Sequence, residues 1–129
     1  MKRDAFIQMM NDTMAGILAK HKEKNVAYGQ DNDAFHNFRS SAIRIFGADT
    51  PENMYKVLLT LVDKHLVALA NGGLTVPEFK DRTTDVIVYM HIALGIFQEY
   101  EDGLVKCGPR CDQRIIIEPS KSSGATKIL

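Results

Sequence analysis

Three carboxylates stand close together in EFKDRTTDVIVYM: Glu78, Asp81 and Asp85. On a helix, their i, i+3, i+7 spacing places them within about 60° of one another, at about 100° per residue. A hard cation such as Mg²⁺ takes carboxylate oxygens and lets substrate phosphates complete its shell. This face therefore has the donor chemistry of a metal and phosphate site. It is also what a solvated acidic first turn contains, because acids suit the positive end of a helix. Glu78 occupies a capping position, and Lys80 and Arg82 are interleaved with the acids.

A second group is LVDKHLVAL, where Lys64 and His65 interrupt an apolar run. Neighbouring helical residues point about 100° apart, so the two cannot share a direction. His65 lies nearer the apolar side, which predicts a half-buried imidazole with a hydrogen-bond partner or, less simply, a base. A third is NVAYGQDNDAFHNF, running from Asn25 to Phe38. Asn25 and Gly29 belong to residue types that take left-handed backbone readily. Tyr28 offers a ring for a base and a hydroxyl, and Asn37 and Arg39 follow, the latter able to grip a phosphate. A helix end, a loop and an N-cap at Asp31 or Asp33 would account for the same residues. There is no Walker loop, GxGxxG, HExxH or GxSxG. His21, His36, His65 and His91 show no paired metal spacing.

Four helices must position these groups. The first is expected from about Arg3 to Lys22, with Phe6, Ile7, Met10, Met14, Ile17 and Leu18 as one apolar stripe. Lys20, His21, Lys22 and Lys24 would then sit at its negative end. The second is expected from about Asp33 to Phe46, with Phe35, Phe38, Ala42, Ile43 and Phe46 on one side and Gly47 ending it. The third starts at DTPE, where Asp49 or Thr50 caps, Pro51 enters the first turn and Glu52 can reach back. Its stripe reads Tyr55, Leu58, Leu59, Val62, Leu66 and Leu69, and Asn71-Gly72-Gly73 stops it. The fourth opens on TVPE as a capping box of Thr75 and Glu78. Phe79, Val86, Met90, Ala93, Leu94 and Phe97 are expected to face the core. From Val86 to Phe97 nearly every direction is apolar, so a second subunit is a natural cover. The pattern predicts a homodimer or higher oligomer through helix 75–101.

The class is an ordinary globular domain: 129 residues, 45% hydrophobic and 25% charged, with formal net charge zero. Zero net charge argues against direct nucleic-acid or anionic-membrane binding. Residues 1–102 carry 11 basic and 14 acidic side chains, while residues 103–129 carry five and two. This divides the chain into a helical domain, 1–102, and a C-terminal tail, 103–129. The tail is irregular in composition, with RIIIEPS as a candidate short strand and SKSSGATKIL as a disordered end. No uninterrupted apolar run reaches the ~18 residues of a membrane span, and MKRDAFIQMM lacks signal-peptide architecture. A cytosolic location is expected. Cys107 and Cys111 are two thiols that alone cannot complete a four-ligand zinc site.

Taken in order, K-N-x-x-Y-G, a phenylalanine-rich helix, K-H-L in a long helix and E-x-x-D-x-x-x-D-V-x-x-Y resemble small phage and bacterial nucleotide-modification-associated domain proteins. Those in turn resemble the MazG-like nucleoside triphosphate pyrophosphohydrolases. The similarity spans about Lys20 to Phe97. It implies an all-α, four-helix, MazG-like bundle completed by oligomerisation, handling a nucleotide ligand. In MazG-like enzymes an E-E-x-x-E helix and a later E-x-x-D helix hold Mg²⁺ and cleave a triphosphate to monophosphate and pyrophosphate. Glu78 and Asp81 match the second half, and Asp85 follows. The first half is missing, and the third helix offers Asp63, Lys64 and His65 instead. A two-metal displacement needs carboxylates on both sides of the triphosphate.

Three functions compete. A Mg²⁺-dependent pyrophosphohydrolase-like or nucleotide-modification-associated protein would hold metal on Glu78, Asp81 and Asp85. It would hold the nucleotide with Asn25, Tyr28, Gly29, Asn37, Arg39, Lys64 and His65. A non-catalytic binder could retain a nucleotide or signal nucleotide intact, as a phage sponge does in a host cytoplasm. A structural or interaction protein would use the apolar fourth helix and leave the acids idle.

Overall fold

The computed structural model describes residues 1–28 and 33–107. Its elements are α1 (Arg3–Tyr28), α2 (His36–Phe46), α3 (Pro51–Gly72), a single 3-10 turn (Gly73–Thr75) and α4 (Phe79–Cys107). The fold is all-α, and the described residues contain no strand. The expected tail strand RIIIEPS, the disordered end and Cys111 lie outside the described residues. α4 continues through 103, where the composition changes, as far as Cys107.

α1 runs six residues past its expected end at Lys22, because nothing before Gly29 breaks it. Lys20, His21, Lys22 and Lys24 consequently precede the last turn, which holds no basic residue. α2 begins at His36 rather than Asp33. Asp33 heads the turn before it, taking the Phe35 N–H on Oδ1 at 3.0 Å, while its carbonyl takes the His36 N–H at 3.3 Å. Gly47 ends α2 at φ 86°, a conformation glycine adopts without a Cβ clash. Thr50 caps α3 by accepting the Asn53 N–H at 3.2 Å, with Pro51 in the first turn. Such a cap contributes about 1 kcal/mol.

The start of α4 corrects the expected capping box. Thr75 closes the 3-10 turn and donates its hydroxyl to the Gly72 carbonyl at 2.8 Å. The first α4 hydrogen bond runs from the Arg82 N–H to the Glu78 carbonyl at 2.9 Å, so the helix opens at Phe79. Val76 and Pro77 separate the two because Pro77 holds Val76 in extended backbone.

α3 is the centre of the packing, with α2 on one side and α4 returning along it. The core is Phe38 and Ala42 of α2, Met54, Val57, Leu58 and Val62 of α3, and Ile96 of α4. Phe35, Leu61, Val86, Tyr89, Ile92 and Ala93 pack around it. Burying Met54 and Leu58 contributes about 1.5–3 kcal/mol each.

This arrangement corrects three expected stripes. On α3 the buried line passes through Met54, Val57 and Leu58 to Val62 and His65, while Tyr55, Leu59 and Leu66 are exposed. The helix is apolar on two sides, and the position of α2 and α4 chooses between them. On α2, Ile43 and Phe46 are exposed, and Lys56 Nζ lies 5.2 Å above the Phe46 ring. On α4, Met90, Leu94 and Phe97 are exposed and Ile96 is buried in their place.

α1 makes only marginal contact with the other described elements. Phe6, Ile7, Met10, Met14 and Leu18 are all exposed. The segment Pro51–Thr75 has the length and the mean hydropathy, 1.3, of a membrane span. Its buried residues, however, hold the intramolecular core just described.

Candidate functional site

α1 lies alongside α4 with its chain direction reversed. Lys20 and His21 border Thr84 and Asp85, and further along Met14 and Leu18 border His91 and Ile92. Between the helices runs a groove of about 550 Å³ lined by Met14, Ala15, Ile17, Leu18, His21, Ala34, Phe35, Val88, His91 and Ile92. A smaller notch of about 70 Å³, lined by Ile17, Lys20, His21, Thr84, Asp85 and Val88, shares three of these residues and continues the groove at its polar end. One end is thus apolar and aromatic, and the other sets a lysine and a histidine opposite a carboxylate and a hydroxyl.

The three carboxylates do not act as one group. Asp85 is half-buried and faces the notch, while Asp81 is exposed one turn earlier. Glu78 is exposed in the turn before α4, with Oε2 3.6 Å from Arg82 Nε. Among the described residues no three His, Cys, Asp or Glu side chains gather around one point. Asp85 supplies carboxylate oxygens at the notch, and the Thr84 hydroxyl beside it donates to the Asp81 carbonyl at 2.9 Å, so that it offers a ligand its lone pairs only. Asp81 does not line the notch, so Asp85 is its one carboxylate among the described residues, and Mg²⁺ held there would depend on substrate phosphates and water for the rest of its shell. Burial, followed by the charge of Asp85 one turn away, pushes the Tyr89 hydroxyl above its ordinary value.

Arg39 is committed elsewhere. Its Nε donates to Asp33 Oδ2 at 2.7 Å, Nη2 donates to Glu99 Oε1 at 2.5 Å, and Nη1 points at Met54 Sδ at 3.7 Å. The hydrogen bonds to Asp33 and Glu99 raise its pKa further above the ordinary arginine range. The same guanidinium, helped by the Phe35 N–H, holds the Asp33 carboxyl below its usual range. A phosphate at Arg39 has to displace one of these carboxylates.

His65 is buried at 7% exposure, with its ring centroid 5.8 Å from that of Tyr89 and Nδ1 without a hydrogen-bond partner. Among the described residues that nitrogen lacks the partner expected for a half-buried histidine. Lys64 and Asn37 are exposed on α3 and α2, away from the groove linings. Asn25 and Tyr28 fall in the last two turns of α1, and Gly29 lies outside the described residues. NVAY is therefore helix rather than loop.

Sequence reasoning passed over Lys20, His21, Phe35, Thr84 and His91 as site residues. No local spacing relates positions 20 and 21 to 84 and 85, and only the reversed course of α1 along α4 brings them together. His91 places Nδ1 2.9 Å from the Ile87 carbonyl on its own helix, leaving its ring edge at the groove.

No known family model, curated protein or solved structure matches this chain. The fold and the groove define its class: an all-α chain with a two-ended cleft between its first and last helices.

Proposed function

We propose that this chain is a nucleotide-handling helical protein that binds its ligand in the groove between α1 and α4. The observation that carries this reading is the polarity of the groove. Leu18, Phe35 and Ile92 offer an apolar slot wide enough for a base, and Lys20, His21, Thr84 and Asp85 offer a charged end for phosphates and Mg²⁺. Lysine serves as a point charge toward phosphate. Its partner across the notch, Asp85, is the acid that follows the Glu78 and Asp81 pair matching the E-x-x-D half in the resemblance to MazG-like proteins. The resemblance also supports an oligomeric protein.

Binding without cleavage is the form of this function that the side chains favour. Of the three acids only Asp85 lines the groove, Glu78 lies 3.6 Å from Arg82, and α3 offers a single exposed Asp63 beside an exposed Lys64 and a buried His65 where a second acidic set is needed. Pyrophosphohydrolysis would require carboxylates from outside this set.

Thermal shift against a panel of nucleoside mono-, di- and triphosphates and cyclic nucleotides, with and without Mg²⁺, tests the proposal. Stabilisation by a nucleotide, lost in both Lys20→Ala and Asp85→Asn, is expected. Pyrophosphate release above that of Asp81→Ala/Asp85→Ala would move the reading from binder to enzyme. No shift with any nucleotide would remove nucleotide handling altogether.

A further inference from the structure

We propose that the apolar cleft between α3 and α4 receives the N-terminal half of α1 from a second copy of this chain. The cleft, of about 530 Å³, is lined by Tyr55, Met90, Leu94, Phe97 and Tyr100, with Glu52 at one end. Leu94 is 66% exposed and Phe97 55% exposed, although both belong to a helix that is apolar nearly all round. The chain also carries a surface that lacks a cleft. Phe6, Ile7 and Met10 of α1 are exposed and line neither cleft of their own molecule.

The two surfaces match in apolar character and in charge. At 1.5 Å per residue, Phe6 to Met10 spans about 6 Å and fits within the span of about 15 Å from Met90 to Tyr100. The start of α1 carries Lys2 and Arg3, while Glu52 stands at the cleft mouth and Glu101 and Asp102 follow Tyr100. A helix entering with its N-terminus toward Glu52 pairs cation with anion as it buries Phe6, Ile7 and Met10. Each copy owns one surface of each kind, so two copies satisfy both at once through a closed two-fold interface. The C-terminal half of α1 stays beside its own α4, so the arrangement does not rest on the nucleotide reading.

Sedimentation velocity of the full chain tests this, and a dimer at micromolar concentration is expected. Met10→Glu and Leu94→Glu should each yield monomer, with helical circular dichroism retained to show that the chain still folds. Arg3→Glu and Glu52→Arg should each weaken the dimer at least several-fold, and the two combined should restore it. With Cys107 and Cys111 replaced by Ser, chains carrying Met10→Cys and chains carrying Leu94→Cys should form a disulfide-linked dimer when mixed. A monomer at tens of micromolar overturns the proposal. So does a dimer that tolerates both glutamates, because its interface then lies elsewhere. Monomeric chain that captures a different protein through this cleft overturns the second-copy assignment as well.

Discussion

Arg39 on α2 and Glu99 on α4 are 60 residues apart in sequence, and the Arg39 Nη2 donates to Glu99 Oε1 at 2.5 Å. The same guanidinium holds Asp33 in the turn before α2 and lies against Met54 of α3. One side chain thereby ties together the three elements that build the core. Its arms are only partly shielded, with 27% of the Arg39 side chain and 35% of the Glu99 side chain exposed, so solvent screening limits what they contribute.

Two substitutions measure that contribution. Glu99→Gln keeps the shape and loses the charge, and should cost about 1 kcal/mol. Arg39→Met leaves two half-buried carboxylates without their cation and should cost more, about 1–3 kcal/mol. Urea denaturation midpoints at neutral pH, with unchanged slopes, report both values. If both variants sit within a few tenths of a kcal/mol of the parent, the cluster is ornamental to stability.

Asp33 gives this cluster a pH signature. Its folded pKa lies below the ordinary 3.8, chiefly through the Arg39 guanidinium and then the Phe35 N–H. A carboxyl with a depressed folded pKa stabilises the fold fully above its unfolded value and loses that contribution as pH falls through the folded one. Stability of the parent should therefore drop on acidification below 3.8. Asp33→Asn should be less stable at neutral pH and show a shallower acid fall. Parallel acid limbs in the two proteins would rule Asp33 out as a source of the slope.

Gly95 connects packing to the groove. A Cβ there would stand 2.5 Å from Phe35 Cζ, so Gly95→Ala must push the Phe35 ring aside. Helix propensity gains about 1 kcal/mol from the change, and overpacking costs about 1–3 kcal/mol. Stability should move little or fall slightly. The ring, however, borders the groove between α1 and α4. Nucleotide affinity measured by calorimetry should weaken several-fold in Gly95→Ala, and equal affinity would mean that Phe35 does not shape the site.

His65 supplies the opposite kind of prediction. Its Nδ1 is buried without a partner among the described residues, and an unsatisfied buried polar atom costs about 1–3 kcal/mol. His65→Leu removes that atom and keeps apolar contact with Tyr89. Thermal denaturation should show equal or higher stability, by up to about 1 kcal/mol. A strong loss would show that the imidazole has a bonded role in the native protein.

Much of the element plan is readable along the chain. Gly47, Thr50-Pro51 and Gly72-Gly73 mark helix ends through backbone requirements that act over three or four residues, and all of them operate as the residue types imply. TVPE misleads because a capping box and a 3-10 turn place the same residues in nearly the same order. There, Pro77 and the Thr75 hydroxyl select the second. The buried stripes of α3 and α4 mislead for a different reason. Both helices are apolar on more than one face, so hydropathy period cannot tell which face meets the partner helix and which is left exposed.

The site divides the same way. Asp81 and Asp85 are visible as acids one turn apart, because that spacing belongs to the helix itself. Their separation from Glu78, which turns toward Arg82, is a matter of where α4 begins. Local spacing, caps and composition determine by themselves an all-α chain and the helix ends at Gly47, Thr50-Pro51 and Gly72-Gly73. The relation of distant residues decides the rest: the Arg39 bond to Glu99, and the notch that Lys20, His21 and Asp85 line together. Such relations depend on how whole helices pack, and no short-range pattern encodes the direction in which α1 lies along α4.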